Sequence, residues 1–140
     1  MDFKKFILAG KATFTVHNNK GDHYTYRVTK AEEKGTWGVT WFVSVLTGPN
    51  NTRDYTYVGL LNSNTGTIRH TKASQFDANS LVAKVFNWAV GRVVWADRLN
   101  ALPNGYGIKH EGRCGRCGRM LTTPESIDIG IGPECLGKLE

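Results

Sequence analysis

The residues of this 140-residue chain best suited to chemistry are three cysteines in its C-terminal part. Cys114 and Cys117 stand at Cys-x2-Cys spacing, and Cys135 follows in the run Gly-Ile-Gly-Pro-Glu-Cys. A tight turn brings the two thiolates of a Cys-x2-Cys pair to one side, where they can hold a single ion. Gly115 and Gly118 suit that turn, because they add no side chain and leave backbone N–H groups free to point at sulfur. The spacing predicts a zinc knuckle, and the Gly-Pro pair before Cys135 predicts a short helix whose first turn carries that cysteine.

A closed structural zinc site takes four ligands, so three cysteines leave one position to fill. We assign that position to His110, which precedes Cys114 with three residues between them. The rival ligands are Asp128, Glu134, His70 and water. A water ligand would open the site to catalysis, but no arrangement of the nearby Glu111, Glu125 and Glu134 singles out a general base. We therefore expect one structural zinc ion.

The other interpretation of the cysteines is a pair of buried or redox-active thiols. A thioredoxin-like site has its Cys-x-x-Cys at a helix start after a parallel strand, whereas here glycine and arginine follow and Cys135 is left unexplained. Three cysteines cannot all pair within one chain. The apolar run over residues 6–9 is also too short for a signal peptide, so we expect a reducing, cytoplasmic location. In that setting a metal clip is favoured.

Basic residues flank and interleave the cysteines. They are Lys109, Arg113, Arg116 and Arg119, and the net charge of the chain is +6. Arginine binds phosphate with a planar fork of donors, so a knuckle that holds its intervening residues outward predicts a nucleic-acid-binding surface. The alternative is a solvated face that offsets the negative charge of a zinc–thiolate cluster.

The tail also resembles a known family. The pattern His-x3-Cys-Gly-Arg-Cys-Gly-Arg over residues 110–119, continued by Gly-Ile-Gly-Pro-Glu-Cys over 130–135, looks like a small zinc-knuckle domain of unknown function found in phage and mobile-element proteins. The run Trp-Phe-Val-Ser-Val-Leu-Thr-Gly-Pro-Asn over residues 41–50 resembles the body of some of those proteins. The resemblance implies a phage or prophage origin and a bound zinc ion. It implies no activity.

Residues 1–103 are predicted to form the body that carries this tail. Alternating apolar and polar residues between turn signals predict five strands in meander order, over residues 12–17, 24–29, 36–46, 55–60 and 67–70. The period then changes to about 3.6, which predicts one long, mostly buried helix from Ser80 to Arg98, capped by Asp77 or Asn79. Gly91 within it indicates a close approach to a strand or a bend.

The predicted fold class is therefore α+β. An antiparallel sheet of about five strands is packed by one long helix over residues 1–103, and a treble-clef-like or ribbon-like zinc-knuckle module follows over residues 104–140. Hydrophobic residues make up 40% of the chain and charged residues 21%, as expected for a globular protein. The longest apolar-rich stretch, residues 81–96, is interrupted by Lys84, Asn87 and Arg92, so we expect no membrane span.

Two classes of function fit these features, and the sequence leaves the oligomeric state open. In the first, the protein binds nucleic acid or a nucleoprotein, with Tyr24, Tyr26, Tyr55 or Tyr57 stacking on bases if they face solvent rather than the core. In the second, it is a phage-encoded inhibitor of a host defence enzyme, of anti-CRISPR or anti-nuclease type, that acts by protein–protein contact.

An enzyme is the third class and the one we do not favour. The sequence has no Gly-rich phosphate loop, no Gly-x-Ser-x-Gly motif and no paired-carboxylate motif. We therefore expect a non-enzymatic protein whose partner is nucleic acid or a nucleic-acid-binding host protein.

Overall fold

The architecture was obtained as a computed structural model that describes residues 2–32, 38–121 and 124–138. Thr36 and Trp37, where we placed the start of the third strand, lie outside these ranges. The strands are β1 (Lys11–His17), β2 (His23–Glu32), β3 (Val39–Leu46), β4 (Tyr55–Asn62), β5 (Thr67–Arg69) and β6 (Gly107–His110). The α-helices are α1 (Phe3–Ile7), α2 (Leu81–Phe86), α3 (Pro124–Ile129) and α4 (Pro133–Lys138), with a π-helix (Asn87–Val94) and a 3-10 turn (Leu99–Ala101).

The strands form one antiparallel sheet in the order β5-β4-β3-β2-β1-β6. The predicted meander of β1 to β5 and the α+β class are confirmed. The strand number is corrected from about five to six, because β6 pairs with β1 and places Ile108 opposite Val16 and His110 opposite Phe14. At four residues β6 is too short to show a period of two. Its bonds to β1 cross the predicted boundary near residue 103, and the division into two domains stays a prediction.

The prediction of one long helix is wrong. Ser80, rather than Asp77 or Asn79, caps α2 by accepting the backbone N–H of Ala83, and α2 ends at Phe86. The chain then continues as the π-helix, whose wider turns are seen in the bond from Arg98 N to Val93 O. The sequence pattern missed this change because an apolar period near 3.6 predicts an α-helix, and π-helical turns are rare.

Two contacts, one made by an asparagine and one by a glycine, show how the π-helix packs against β5. The Asn87 side-chain oxygen accepts the backbone N–H of Ile68 at 2.8 Å. A Cβ atom on Gly91 would lie 2.9 Å from the Thr67 Cγ2 atom, so the predicted close approach at Gly91 is confirmed. Any side chain at that position would push the helix away from the sheet.

The core lies on one face of the sheet. Alternate strand residues there are fully buried against α1, α2 and the π-helix, among them Phe14, Tyr26, Val28, Val43 and Val58. Alternate residues on the other side form what we call the open face, which comprises Lys11, Thr13, Thr15, Thr25, Arg27, Thr29, Phe42, Ser44, Tyr57, Leu60, Arg69 and Lys109. The cysteine region joins the same core through Cys114, Leu121, Ile131 and Cys135.

Within the described ranges, no helix has the length and apolar character needed to cross a bilayer.

Candidate metal centre

A small hairpin carries the Cys-x2-Cys pair. Its two arms are joined by bonds from Cys114 N to Arg119 O and from Leu121 N to Gly112 O, both 2.8 Å long. At the tip, Gly118 N donates to Cys114 O, and Gly118 has a φ of +79°, a left-handed conformation that glycine adopts without strain. The hairpin tip therefore has the tight turn that the Cys-x2-Cys spacing requires.

The third cysteine comes from a helix start, as the Gly-Pro pair predicted. Helix α4 begins at Pro133, whose missing N–H costs nothing at the first helical position, and Cys135 lies in the first turn. Just before the helix, Gly132 N donates to the Cys114 sulfur at 3.3 Å. That bond holds the start of α4 beside the knuckle.

The three sulfur atoms lie within 4.8 Å of one another. Sulfurs bound to one tetrahedral zinc ion at about 2.3 Å lie about 3.8 Å apart, so small side-chain adjustments bring this group to ligating distances. Cys114 and Cys135 are buried, and Cys117 is exposed. The predicted convergence of the cysteines is confirmed, and Cys114, Cys117 and Cys135 can hold a metal ion.

The surroundings of Cys114 favour its thiolate form. Burial raises the pKa of this thiol, but backbone N–H groups of Gly132, Cys117 and Arg116 point at the sulfur and more than offset burial, bringing the pKa to about 7. The Arg116 N to Cys114 Sγ distance is 3.4 Å. Backbone donors aimed at sulfur stabilise the negative charge that a metal ligand must carry.

The surroundings of Cys135 instead favour its neutral thiol when no ion is present. Burial raises the pKa of its thiol, and the Arg116 guanidinium, whose Nη1 lies 3.6 Å from the sulfur, lowers the pKa by less. A divalent cation beside Cys135 would reverse this balance, because a coordinating thiol is deprotonated by the ion itself. The donor set therefore fits a soft divalent metal such as zinc.

His110 is not a member of the sulfur group. It lies on the core face of β6, where its ring is 5.6 Å from the Phe6 ring and its Nδ1 accepts the backbone N–H of Gly112 at 3.0 Å. A neutral ring with an accepting Nδ1 carries its proton on Nε2, so neither nitrogen has a free lone pair in this arrangement. As a zinc ligand, His110 would have to give up the bond to Gly112.

The rival fourth ligands also stand apart from the cysteines. His70 follows β5, at the opposite edge of the sheet from β6 and about five strand spacings, or about 24 Å, away. Asp128 and Glu134 are exposed on α3 and α4. In the part of the chain that the structure describes, no histidine or carboxylate joins the three sulfurs. The fourth position is therefore left to water, to a partner, or to a rearranged His110.

The four basic residues predicted to bind nucleic acid have different surroundings. Lys109 and Arg119 are exposed. Arg113 is half-buried and its guanidinium donates to Gly118 O at 3.3 Å, whereas Arg116 lies against the Cys135 sulfur. The hairpin thus turns two of its arginines toward its own atoms, which agrees in part with the alternative that they offset sulfur charge.

Arg113 also reaches a polar cavity of about 170 Å³ that the sequence did not indicate. Arg27 of β2 and Glu111 line the same cavity. Arg27 is stacked 3.9 Å above the Tyr55 ring and donates to Thr52 O at 2.9 Å. The pairing of β1 with β2 on one side and with β6 on the other brings these residues together, so their spacing in the sequence did not indicate the cavity.

The knuckle is attached to the body through α1 and the start of β1. Lys11 N donates to Gly115 O, and Gly115 N donates to Gly130 O at 2.8 Å. A Cβ atom on Gly115 would lie 2.6 Å from the Phe6 ring. The glycine at this position therefore serves contact with the body as well as the turn.

Comparison with known proteins agrees with the position of this site. Residues 107–140, which contain β6 and all three cysteines, match the model of a family of unknown function, DUF6011. No curated protein and no solved structure matches the chain. The similarity therefore covers the C-terminal region alone and concerns a family with no assigned activity.

Proposed function

We propose that this protein holds one structural zinc ion through Cys114, Cys117 and Cys135 and acts by binding nucleic acid, without catalysis. The observation that supports the metal is the convergence of three sulfurs around backbone N–H donors. The ion would stabilise the C-terminal region, because its short helices α3 and α4 have few buried apolar residues of their own. The resemblance of the tail to phage zinc-knuckle domains supports a phage origin.

The charge around the metal centre supports a polyanionic partner. Exposed Lys109 and Arg119 flank the hairpin, and the cavity shared by Arg113 and Arg27 joins the hairpin to the open face. Residues 107–119, from β6 through the hairpin, carry four basic side chains and one acidic side chain, so the local charge is positive. Arginine and lysine at such a surface bind phosphate groups and release counterions.

Metal content is the first measurement. Protein purified without a metal-affinity tag should contain about one zinc ion per chain by elemental analysis, as expected for one three-cysteine site. A His110→Ala variant that keeps its zinc would show that the fourth position is filled by another group. Native protein without metal, whose cysteines are freely alkylated, would contradict the proposal.

Nucleic-acid binding is tested with two variants of equal charge change. The double variant Lys109→Ala, Arg119→Ala should weaken binding of a labelled oligonucleotide and reduce the slope of log K against log salt by about 1 to 2. Lys84→Ala, Arg92→Ala is the matched control, since both side chains are exposed on the helical face of the sheet.

Equal weakening by the two double variants would show that binding follows net charge alone and would contradict a specific surface. If the purified protein binds neither DNA nor RNA but captures one host protein after nuclease treatment, the inhibitor interpretation replaces this one.

A further inference from the structure

We propose that the open face binds single-stranded nucleic acid, with unpaired bases stacking on Phe42 and Tyr57. This inference rests on the proposed nucleic-acid binding and specifies the form of the partner. It depends on three features of the sheet, namely an exposed pair of aromatic rings, cations at both ends of the strand row that contains Phe42, and short hydroxyl side chains on the neighbouring strands.

The aromatic pair lies in the middle of the sheet. Phe42 is on β3, the third of six strands, yet 39% of its surface is exposed. The Tyr57 ring on β4 lies 6.2 Å from the Phe42 ring, and its hydroxyl is held 3.0 Å from the Thr71 hydroxyl. The two rings together therefore offer an aromatic contact surface on the central strands of the sheet.

The other tyrosines named from the sequence are not free in this way. Tyr26 is fully buried and donates to Val82 O, and Tyr24 lies on the core side beside a cavity of about 730 Å³. The Tyr55 ring is covered on one side by the Arg27 guanidinium at 3.9 Å. Phe42, which the sequence did not single out, and Tyr57 are therefore the rings of the described open face that a base can reach.

Cations stand at both ends of the strand row that contains Phe42. Phe42 is opposite Leu60, and Leu60 is opposite Arg69 on β5. In the other direction, Phe42 is opposite Thr29, and Thr29 is opposite Lys11 on β1. Arg69 and Lys11 are exposed and lie four strand spacings, or about 19 Å, apart. A single strand of nucleic acid that crosses the sheet can thus place its bases on the rings and its phosphates beside the cations.

Beside this row the open face is mostly uncharged, and part of it is covered, since Thr13 and Thr25 are buried. Short hydroxyl side chains occupy β1 and β2, at Thr13, Thr15, Thr25 and Thr29. Between them, Arg27 is fixed by bonds to the carbonyl oxygens of Asn51 and Thr52. The acidic side chain next to this region is Glu111, which accepts the Thr15 hydroxyl. Along the row from Arg69 to Lys11, the phosphates of an extended nucleic-acid chain therefore meet more attraction than repulsion.

The geometry favours a single strand over a duplex. Bases inside a duplex are stacked on their neighbours, and their faces do not reach an outside ring. A sheet face with exposed aromatic rings binds bases that are unpaired and splayed out, with little sequence preference because every base has a π face.

The test uses fluorescence anisotropy with a labelled oligothymidylate of about 12 nucleotides and a duplex of the same length. The full chain should bind the single strand about tenfold or more tightly than the duplex at the same salt concentration. Phe42→Ala should weaken single-strand binding about tenfold and leave duplex binding nearly unchanged. Phe42→Trp should keep the affinity of the native protein, because the aromatic ring is retained.

The matched control is Val39→Ala. Val39 is on the same strand, is exposed to nearly the same extent at 38%, and lies on the opposite side of the sheet. An oligonucleotide that contains one 2-aminopurine adds a second measurement. The fluorescence of this base is quenched when it stacks on an aromatic ring, and electrostatic attraction alone does not cause that quenching. Quenching should appear with native protein and Phe42→Trp, and be absent with Phe42→Ala.

Equal affinity for single strand and duplex, or unchanged binding by Phe42→Ala, would overturn the stacking surface. If the Lys109 and Arg119 double variant still weakens binding in that case, the proposed nucleic-acid binding stands without it. If native protein binds no nucleic acid of either form, both proposals fall.

Discussion

Substitution of Gly115 by alanine tests how the cysteine hairpin is attached to the body. The added Cβ atom would lie 2.6 Å and 2.9 Å from two carbons of the Phe6 ring and 3.0 Å from the Phe6 carbonyl oxygen. The two ring distances are shorter than those that real Cβ atoms show, so either the ring or the hairpin must move. Gly115 does not need a positive φ, since it is absent from the residues that have one in the described ranges. The expected effect is therefore steric.

The Phe6 ring has little room to move. It is fully buried and packs edge-on against the Phe3 ring at 5.5 Å and beside the His110 ring at 5.6 Å. Overpacking at such a site costs about 1 to 3 kcal/mol of unfolding free energy. For a chain of this size that loss lowers the melting temperature by about 3 to 9 °C.

The assay is thermal unfolding of the zinc-saturated protein followed by circular dichroism. Gly137→Ala is the control, because a Cβ there meets nothing within 4 Å and replaces glycine inside α4. That change should leave stability unaltered or raise it by up to about 1 kcal/mol. Adding Phe6→Leu to Gly115→Ala should cost less than the sum of the two single changes, because the smaller side chain leaves room for the methyl group.

A Gly115→Ala protein that melts within about 1 °C of the native protein would refute this reasoning, as the expected shift is several degrees. Strict additivity with Phe6→Leu would show that the destabilisation arises elsewhere.

Two further changes separate the metal centre from the sheet. Cys117→Ser should release the metal and disorder the C-terminal region. The sheet should stay folded, because Cys117 is exposed and outside the core. Elemental analysis and circular dichroism measure the two effects, and retained metal would contradict the prediction. Burial raises the pKa of Tyr26, so the folded state keeps a proton that the unfolded chain loses above about pH 10, and stability should fall as pH rises past that value. Tyr26→Phe removes the bond to Val82 O, should lower stability near neutral pH by about 1 kcal/mol, and should reduce the alkaline loss; an unchanged alkaline profile would contradict this role.

Local pattern was enough to predict much of the sheet and the cysteine site. The meander of β1 to β5 followed from alternation and turn residues, which depend on neighbours in sequence. The helix start at Pro133 and the turn at Gly118 followed from the conformations that proline and glycine favour. The sulfur group was predicted because its ligands lie on those two local structures.

The features that the sequence did not predict depend on contacts between distant residues. Strand β6 is four residues long, and it forms because β1 offers it an edge. The change to a π-helix coincides with the bond from Ile68 to Asn87, nineteen positions apart in sequence. No local pattern around Ile68 or Asn87 predicts that these two residues form a hydrogen bond.

Residue types and spacing by themselves determined that this chain can gather three thiolates around one ion and that its positive charge lies nearby. Only the tertiary structure decided which rings face solvent and which arginines are occupied. Phe42 and Tyr26 are both aromatic residues in strands, yet one is exposed and the other buried, because the position of the helices relative to the sheet decides which face becomes the core. Arg116 contacts the Cys135 sulfur only because folding brings α4 beside the hairpin.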